Sequence, residues 1–248
     1  MKIILLQPPC EVRYHQTYPP IGLAYLKAYV VDRHPTKAID MSAYTFEKVE
    51  QCLKSEPFDL IGISFLTSYR VSARKVAAIA RRINPRCRIV LGGSHPSSLP
   101  EQELEIMNAD AVVIGEGEIT FRELVDAFEA DTDLDRVQGI VFRRDKDFVR
   151  TGSRQLIPNL DEMRFPDFSD FPHEDYSKRA FLELQDTPMY KNGNIGNLFS
   201  SRGCPFKCEY CSVAAYWSRK ARAMSPKVVV DQMERLKKEQ GSTLIVFM

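Results

Sequence analysis

The sequence predicts an α/β fold whose first half is a parallel sheet covered by helices on both faces. Two observations carry this: strand-like runs that are nearly all apolar, and a helical pattern between each pair of them. The first run is Lys2–Leu6, followed by a helix at Ile21–Val31. A weaker strand at Lys37–Met41 precedes a helix at Thr45–Lys54. The buried run Leu60–Phe65 precedes a helix over Tyr69–Ile83. Arg88–Leu91 and Ala111–Ile114 complete the strands, with helices at Glu101–Met107 and Thr120–Ala130. Five strands in this rhythm predict a flavodoxin-like, doubly wound parallel five-stranded sheet.

The rhythm then changes. Val137–Arg143 and Phe148–Thr151 read as a hairpin turned over Asp145-Lys146-Asp147. Residues 157–188 carry Pro158, Pro166, Pro172 and Pro188 among many acidic and aromatic side chains, the composition of a wrapping linker. A new unit begins near Gly193, with a strand to Ser200, a cysteine-rich loop, a helix over Pro226–Gln240 and a strand over Thr243–Met248. Ser225 and Pro226 are a helix start, and Gly241 is a stop. The expected division is therefore 1–135 (sheet), 136–192 (hairpin and linker) and 193–248 (second unit). One and a half βα units cannot bury both faces of a sheet, so a longer protein is expected.

Lys and Arg number 34 and Asp and Glu 33, a net charge of +1. Such balance gives no electrostatic case for nucleic acid or an anionic membrane. The start MKIILLQPP is too short in apolar residues for a signal peptide, and no run is long enough for a membrane span. A cytoplasmic chain is the expectation. Of six cysteines, Cys10, Cys52 and Cys87 are scattered and read as small hydrophobes, while Cys204, Cys208 and Cys211 crowd into one segment. Secreted disulfide scaffolds are shorter and denser in cysteine, so the crowded trio points to a metal or cluster.

That segment reads Ser201-Arg202-Gly203-Cys204-Pro205-Phe206-Lys207-Cys208-Glu209-Tyr210-Cys211. Three thiolates on a cubane iron–sulfur cluster leave one iron open to a non-protein ligand. A structural zinc needs four protein ligands, and no fourth stands at finger spacing. The C-x₃-C-x-aromatic-C pattern after a strand and an Arg-Gly resembles the radical S-adenosylmethionine superfamily. The resemblance implies that Cys204, Cys208 and Cys211 hold a [4Fe–4S] cluster whose open iron takes S-adenosylmethionine, with Tyr210 near its adenine. Reductive cleavage to a 5′-deoxyadenosyl radical follows from it. So does a barrel of about six βα units, of which this chain carries the first βαβ portion. Tyr210 as plain core packing is the alternative. Arg202 and Lys207 read as solvated or backbone-bracing.

Ligands of open α/β sheets bind beyond the strands' carboxyl ends. There the sequence places Ser64, Leu66 and Thr67, then Gly92-Gly93-Ser94-His95, then Gly115-Glu116-Gly117-Glu118. Paired glycines after a strand are either turn residues or a close approach for a large ligand. Ser64-x-Leu66 followed, after residues 67–91, by Gly92-Gly93 resembles the cobalamin-binding domain of corrinoid enzymes. The run Tyr18–Leu26, with GGSHP and GEGE, resembles the cobalamin-dependent radical S-adenosylmethionine proteins over nearly the whole chain. These resemblances imply that cobalamin's nucleotide tail lies in a slot between the third and fourth strands. Glu116 and Glu118 either bond corrin amides or cap the next helix. His95 is expected at the corrin periphery or a phosphate. The Asp-x-His-x-x-Gly of cobalt-ligating corrinoid proteins is missing around His15, so base-off cobalamin without a histidine ligand is expected.

The combined expectation is a cobalamin-dependent radical enzyme, with methyl transfer to an unactivated centre of a small-molecule substrate and electrons from a flavodoxin- or ferredoxin-type donor. No catalytic residue is assigned. The alternatives are a radical oxidative cyclase or rearrangement enzyme, a non-catalytic corrinoid-binding module, and a zinc-stabilised interaction protein.

Overall fold

The computed structural model describes residues 1–10, 18–172, 175–178, 194–211 and 213–248. His15, the expected linker stretch 179–193 and the Gly193 strand start lie outside them. Strands β1 (Ile3–Gln7), β2 (Thr36–Asp40), β3 (Leu60–Ser64), β4 (Arg88–Gly92) and β5 (Ala111–Val113) run parallel in the order β2-β1-β3-β4-β5. The crossover helices are α1 (Ile21–Val30), α2 (Phe46–Ser55), α3 (Arg70–Ile83), the short α4 (Ser94–Ser98), α5 (Pro100–Met107) and α6 (Glu118–Ala130). The doubly wound core thus matches the sequence pattern. Its strands are apolar because both faces are covered: α1 and α6 pack on one side, α2, α3 and α5 on the other.

One expectation needs correcting. The hairpin does not stand outside the sheet; it extends it to seven strands. Strand β6 (Ile140–Arg144) pairs antiparallel with β5, and β7 (Asp147–Arg150) pairs with β6. Ile140, Val141 and Phe142 are all buried, which gives β6 an apolar contact on each face of the growing sheet. Charged residues at the β6–β7 end and along β7 suit an outer edge, where they oppose pairing with another chain.

The segment after β7 packs Ile157, Leu160, Met163, Phe168 and Phe171 into the α1/α6 core. Asp170 fixes it in place, accepting from Lys27 Nζ at 2.6 Å and from the Ala38 N–H at 2.7 Å. The second unit comprises β8 (Ile195–Leu198), β9 (Ser201–Arg202), α7 (Val213–Trp217), β10 (Arg222–Ala223), α8 (Pro226–Gln240) and β11 (Leu244–Phe247). Strands β8 and β11 are parallel neighbours in a two-stranded sheet, with α8 leading into β11. As expected, Ser225 caps α8 through the Val228 N–H, and Gly241 ends it at φ +63°. Leu198, Met224 and Leu236 join the core beneath α1 and α6, so both units share one apolar interior. Among the described residues no helix is long and apolar enough to cross a membrane.

Candidate functional site: a sheet-end slot beneath a cysteine loop

A cavity of about 150 Å³ lies against the carboxyl-terminal ends of β3 and β4, on the α1/α6 face. Leu5, Leu23, Leu26, Val90, Val113 and Phe121 make its walls apolar, while Gly22 and Gly92 widen it by omission. A side chain built on either glycine would meet nothing within 4 Å. Gly93 does a different job. Its φ is +92°, and a Cβ there would lie 2.7 Å from the Phe65 carbonyl oxygen and 2.9 Å from its nitrogen. Gly93 therefore lets the chain after β4 close on the chain after β3, and Gly92 leaves the space.

Several residues singled out from sequence line this slot: Ser64, Gly92, Gly93, Gly115, Glu116, Gly117 and Glu118. Others do not. Leu66 is 55% exposed outside the slot, at the start of the turn leading to α3. Thr67 Oγ1 and His95 Nδ1 are 3.0 Å apart, and His95 Nε2 is 3.2 Å from Glu103 Oε1. With both ring nitrogens occupied and the ring buried, His95 braces α4 against α5 here rather than presenting a nitrogen to a ligand. Ser94 opens α4 outside the slot lining.

The roof comes from the second unit: Phe199, Arg202 and Trp217 complete the slot. Phe199 stacks on Tyr25 at 6.5 Å and meets Trp217 edge-on at 5.4 Å. Arg202 corrects the sequence reading, because it is 3% exposed and not solvated. Its Nη2 donates to Glu118 Oε1, and its Nη1 stands 3.3 Å from Glu116 Oε1. Arg222, also buried, donates to Glu116 Oε1 at 2.7 Å and to the Ile157 carbonyl at 2.6 Å. The Ile157 N–H donates to Glu116 Oε2 at 2.9 Å. Glu116 and Glu118 thus pair with arginines across the unit boundary, a role neither sequence reading included, while Glu118 also stands in the first turn of α6. Burial pushes the Glu116 carboxyl up, but Arg222, the Ile157 N–H and Arg202 together hold it below the ordinary glutamate range. Sequence reasoning missed this four-residue cluster; the GEGE motif and the Arg before Gly203 were its signals.

The cysteine loop leaves directly from Arg202. The Cys204 N–H donates to the Ser218 carbonyl at 3.3 Å, Arg219 Nη1 donates to the Phe206 carbonyl at 3.0 Å, and β9 pairs with β10. Gly203 has φ +86°, and a Cβ there would lie 2.3 Å from the Lys220 carbonyl oxygen. Gly203→Ala is expected to detach the loop base at a cost of about 1–3 kcal/mol; a melting curve matching the parent would refute this. Cys204 is half-buried, Cys208 and Cys211 are exposed, and the Cys211 N–H donates to the Cys208 carbonyl at 3.2 Å. Among the described residues no three cysteine, histidine or carboxylate side chains gather about a single metal ion. A cubane differs from such a site in offering each thiolate its own iron corner, and its donor set is three thiols of this type. Tyr210, 93% exposed, is no core residue.

Comparison with known proteins accounts for both halves. The B12 binding domain profile matches residues 12–125, which hold strands β2 to β5 and most of the slot lining. The Radical SAM superfamily profile matches residues 198–248, the cysteine loop and its flanking elements. An uncharacterized methyltransferase of Pyrococcus horikoshii is 34% identical over 100% of this chain and 53% of its own length. An anaerobic magnesium-protoporphyrin IX monomethyl ester cyclase of Rubrivivax gelatinosus is 31% identical over 96% of the chain and 43% of its own. In fold, the radical S-adenosylmethionine methyltransferase TsrM of Kitasatospora setae superposes with a TM-score of 0.74 at 17% identity, over 96% of this chain and 46% of that one. The cobalamin-dependent radical enzyme OxsB gives 0.76 at 22% identity, over 98% and 33%. A B12-binding sheet followed by a radical S-adenosylmethionine unit is the class defined here. The chain belongs to the cobalamin-binding radical S-adenosylmethionine proteins. It spans about half the length of the curated relatives it matches.

Proposed function

We propose that this chain binds cobalamin in the sheet-end slot and a [4Fe–4S] cluster with S-adenosylmethionine at the cysteine loop, and serves radical methyl transfer to an unactivated carbon or phosphorus centre of a small molecule. The observation that carries this is the position of the cysteine loop: its base, Phe199 and Arg202, is the roof of the glycine-widened slot. When bound, the cofactors supply electron transfer to a sulfonium and carriage of a methyl group. The protein's own residues hold and shield. Gly92 and Gly22 admit a flat or elongated group, the apolar walls exclude water from it, and Cys204, Cys208 and Cys211 supply the thiolates. Electrons from a flavodoxin- or ferredoxin-type donor fit the exposure of the loop, and six free thiols suit the reducing cytoplasm. The cyclase among the relatives supports a second reading, oxidative ring closure with the same parts.

Anaerobic reconstitution with iron and sulfide tests the cluster. The parent chain is expected to turn brown with about four irons per chain, and Cys204→Ala to lose most of both. Stoichiometric zinc without a cluster would overturn the proposal in favour of an interaction protein. Corrinoid binding with no iron would leave only a corrinoid-binding module.

A further inference from the structure

The buried cluster of charges leaves three polar atoms without hydrogen-bond partners among the described residues: Arg222 Nε, which lies outside the slot lining, and the pair Glu118 Oε2 and Arg202 Nη1. Both residues line the slot, and both are at least nine-tenths buried. Nη1 has the attraction of Glu116 at 3.3 Å but makes no hydrogen bond. An unmet guanidinium N–H in an apolar enclosure is costly, and the group that would satisfy it carries an acceptor oxygen. Beside it, Glu118 Oε2 can only accept. The pair therefore matches a ligand that offers an oxygen acceptor next to an N–H or O–H donor, as a primary amide or a hydroxyl beside a phosphate does.

We propose that Arg202 is a specificity-determining ligand contact of the slot, donated by the cysteine-loop unit and steered by Glu118, so that the corrinoid site is complete only when that unit is docked. This rests on the cobalamin reading above and deepens it. Arg202 is two residues from Cys204 and paired in β9–β10. Filling the slot therefore draws on the same residue that starts the cysteine loop.

The experiment titrates the chain with cobalamin and with cobinamide, which keeps the ring amides but lacks the nucleotide tail, and follows absorbance. Arg202→Lys keeps the charge and loses the fork. Arg202→Met combined with Glu118→Gln removes both charges together, so that neither is left buried alone while Glu116 keeps Arg222. Loss of a charged hydrogen bond predicts about 10- to 100-fold weaker cobalamin binding in both variants, with melting temperatures near the parent. If the oxygen belongs to the tail, cobinamide affinity stays at the parental value; if it belongs to a ring amide, both affinities fall. Either outcome supports a ligand contact. Unchanged affinity for both corrinoids in folded variants would overturn it, and would mean that a water satisfies the two atoms. A parent chain that binds neither corrinoid would instead sink the cobalamin reading itself.

Discussion

Replacing Gly92 by phenylalanine is expected to abolish cobalamin retention while the protein still melts within a few degrees of the parent. Gly92 ends β4 in register with Ser64, its φ is not in the left-handed region, and a Cβ on it meets nothing. A ring grown from that point enters the slot, where the occupant's place is taken by protein carbon. The expected loss is at least about 100-fold, or about 2.8 kcal/mol at 1.4 kcal/mol per decade. The neighbouring substitution behaves in the opposite way. Gly93→Ala forces a Cβ onto the Phe65 backbone at φ +92°, so stability falls by about 1–3 kcal/mol whether or not a ligand is present. Equilibrium dialysis against cobalamin alongside thermal melts separates the two. Parental binding by a folded Gly92→Phe chain would place the corrinoid elsewhere.

The second large effect concerns stability. Glu116→Ala leaves Arg222 without its carboxylate partner and Arg202 with Glu118 alone, both buried, and strands the Ile157 N–H. Removing one member of a buried, hydrogen-bonded charge cluster costs about 3–5 kcal/mol, which chemical denaturation would register as a large fall in midpoint. An unfolding free energy within about 1 kcal/mol of the parent would show that the cluster is not coupled in this way. The same carboxylate sets an acid limit. Its folded pKa lies below that of an unfolded glutamate, so its contribution is complete above the unfolded value and is lost as pH falls through the folded one. Parent stability should therefore decline from about pH 4.3 downward, and Glu116→Gln should flatten that part of the profile.

The five parallel strands were legible because burial on both faces leaves almost no polar residue in them: Ile3–Leu6, Leu60–Ile63 and Ile89–Leu91 read as apolar blocks. The slot glycines were legible for a similar reason, since a strand end that omits side chains twice in succession is conspicuous. Their division of labour was not, because whether a glycine spares a ligand or a backbone depends on where Phe65 sits. The hairpin's place was also hidden. Residues 140–150 show that two strands pair with each other, but β6 chooses β5 through contacts made in three dimensions. Least legible were Arg202 and Arg222. An arginine reads as a surface residue until its carboxylates are known, and these lie 84 and 106 residues away along the chain.

The Asn197 side chain, buried inside β8, donates to the Pro19 carbonyl just before α1, and Tyr25 of α1 lies beneath Phe199 and Arg202. The front of the molecule is thus not a portable cassette. Expressed by itself, the sheet would bare an oily flank around Tyr25 and keep two acidic side chains with no cation to neutralise them. Such a piece should clump where the intact polypeptide stays dispersed, and attempts to graft it as a free-standing corrinoid carrier should bring the cysteine loop along.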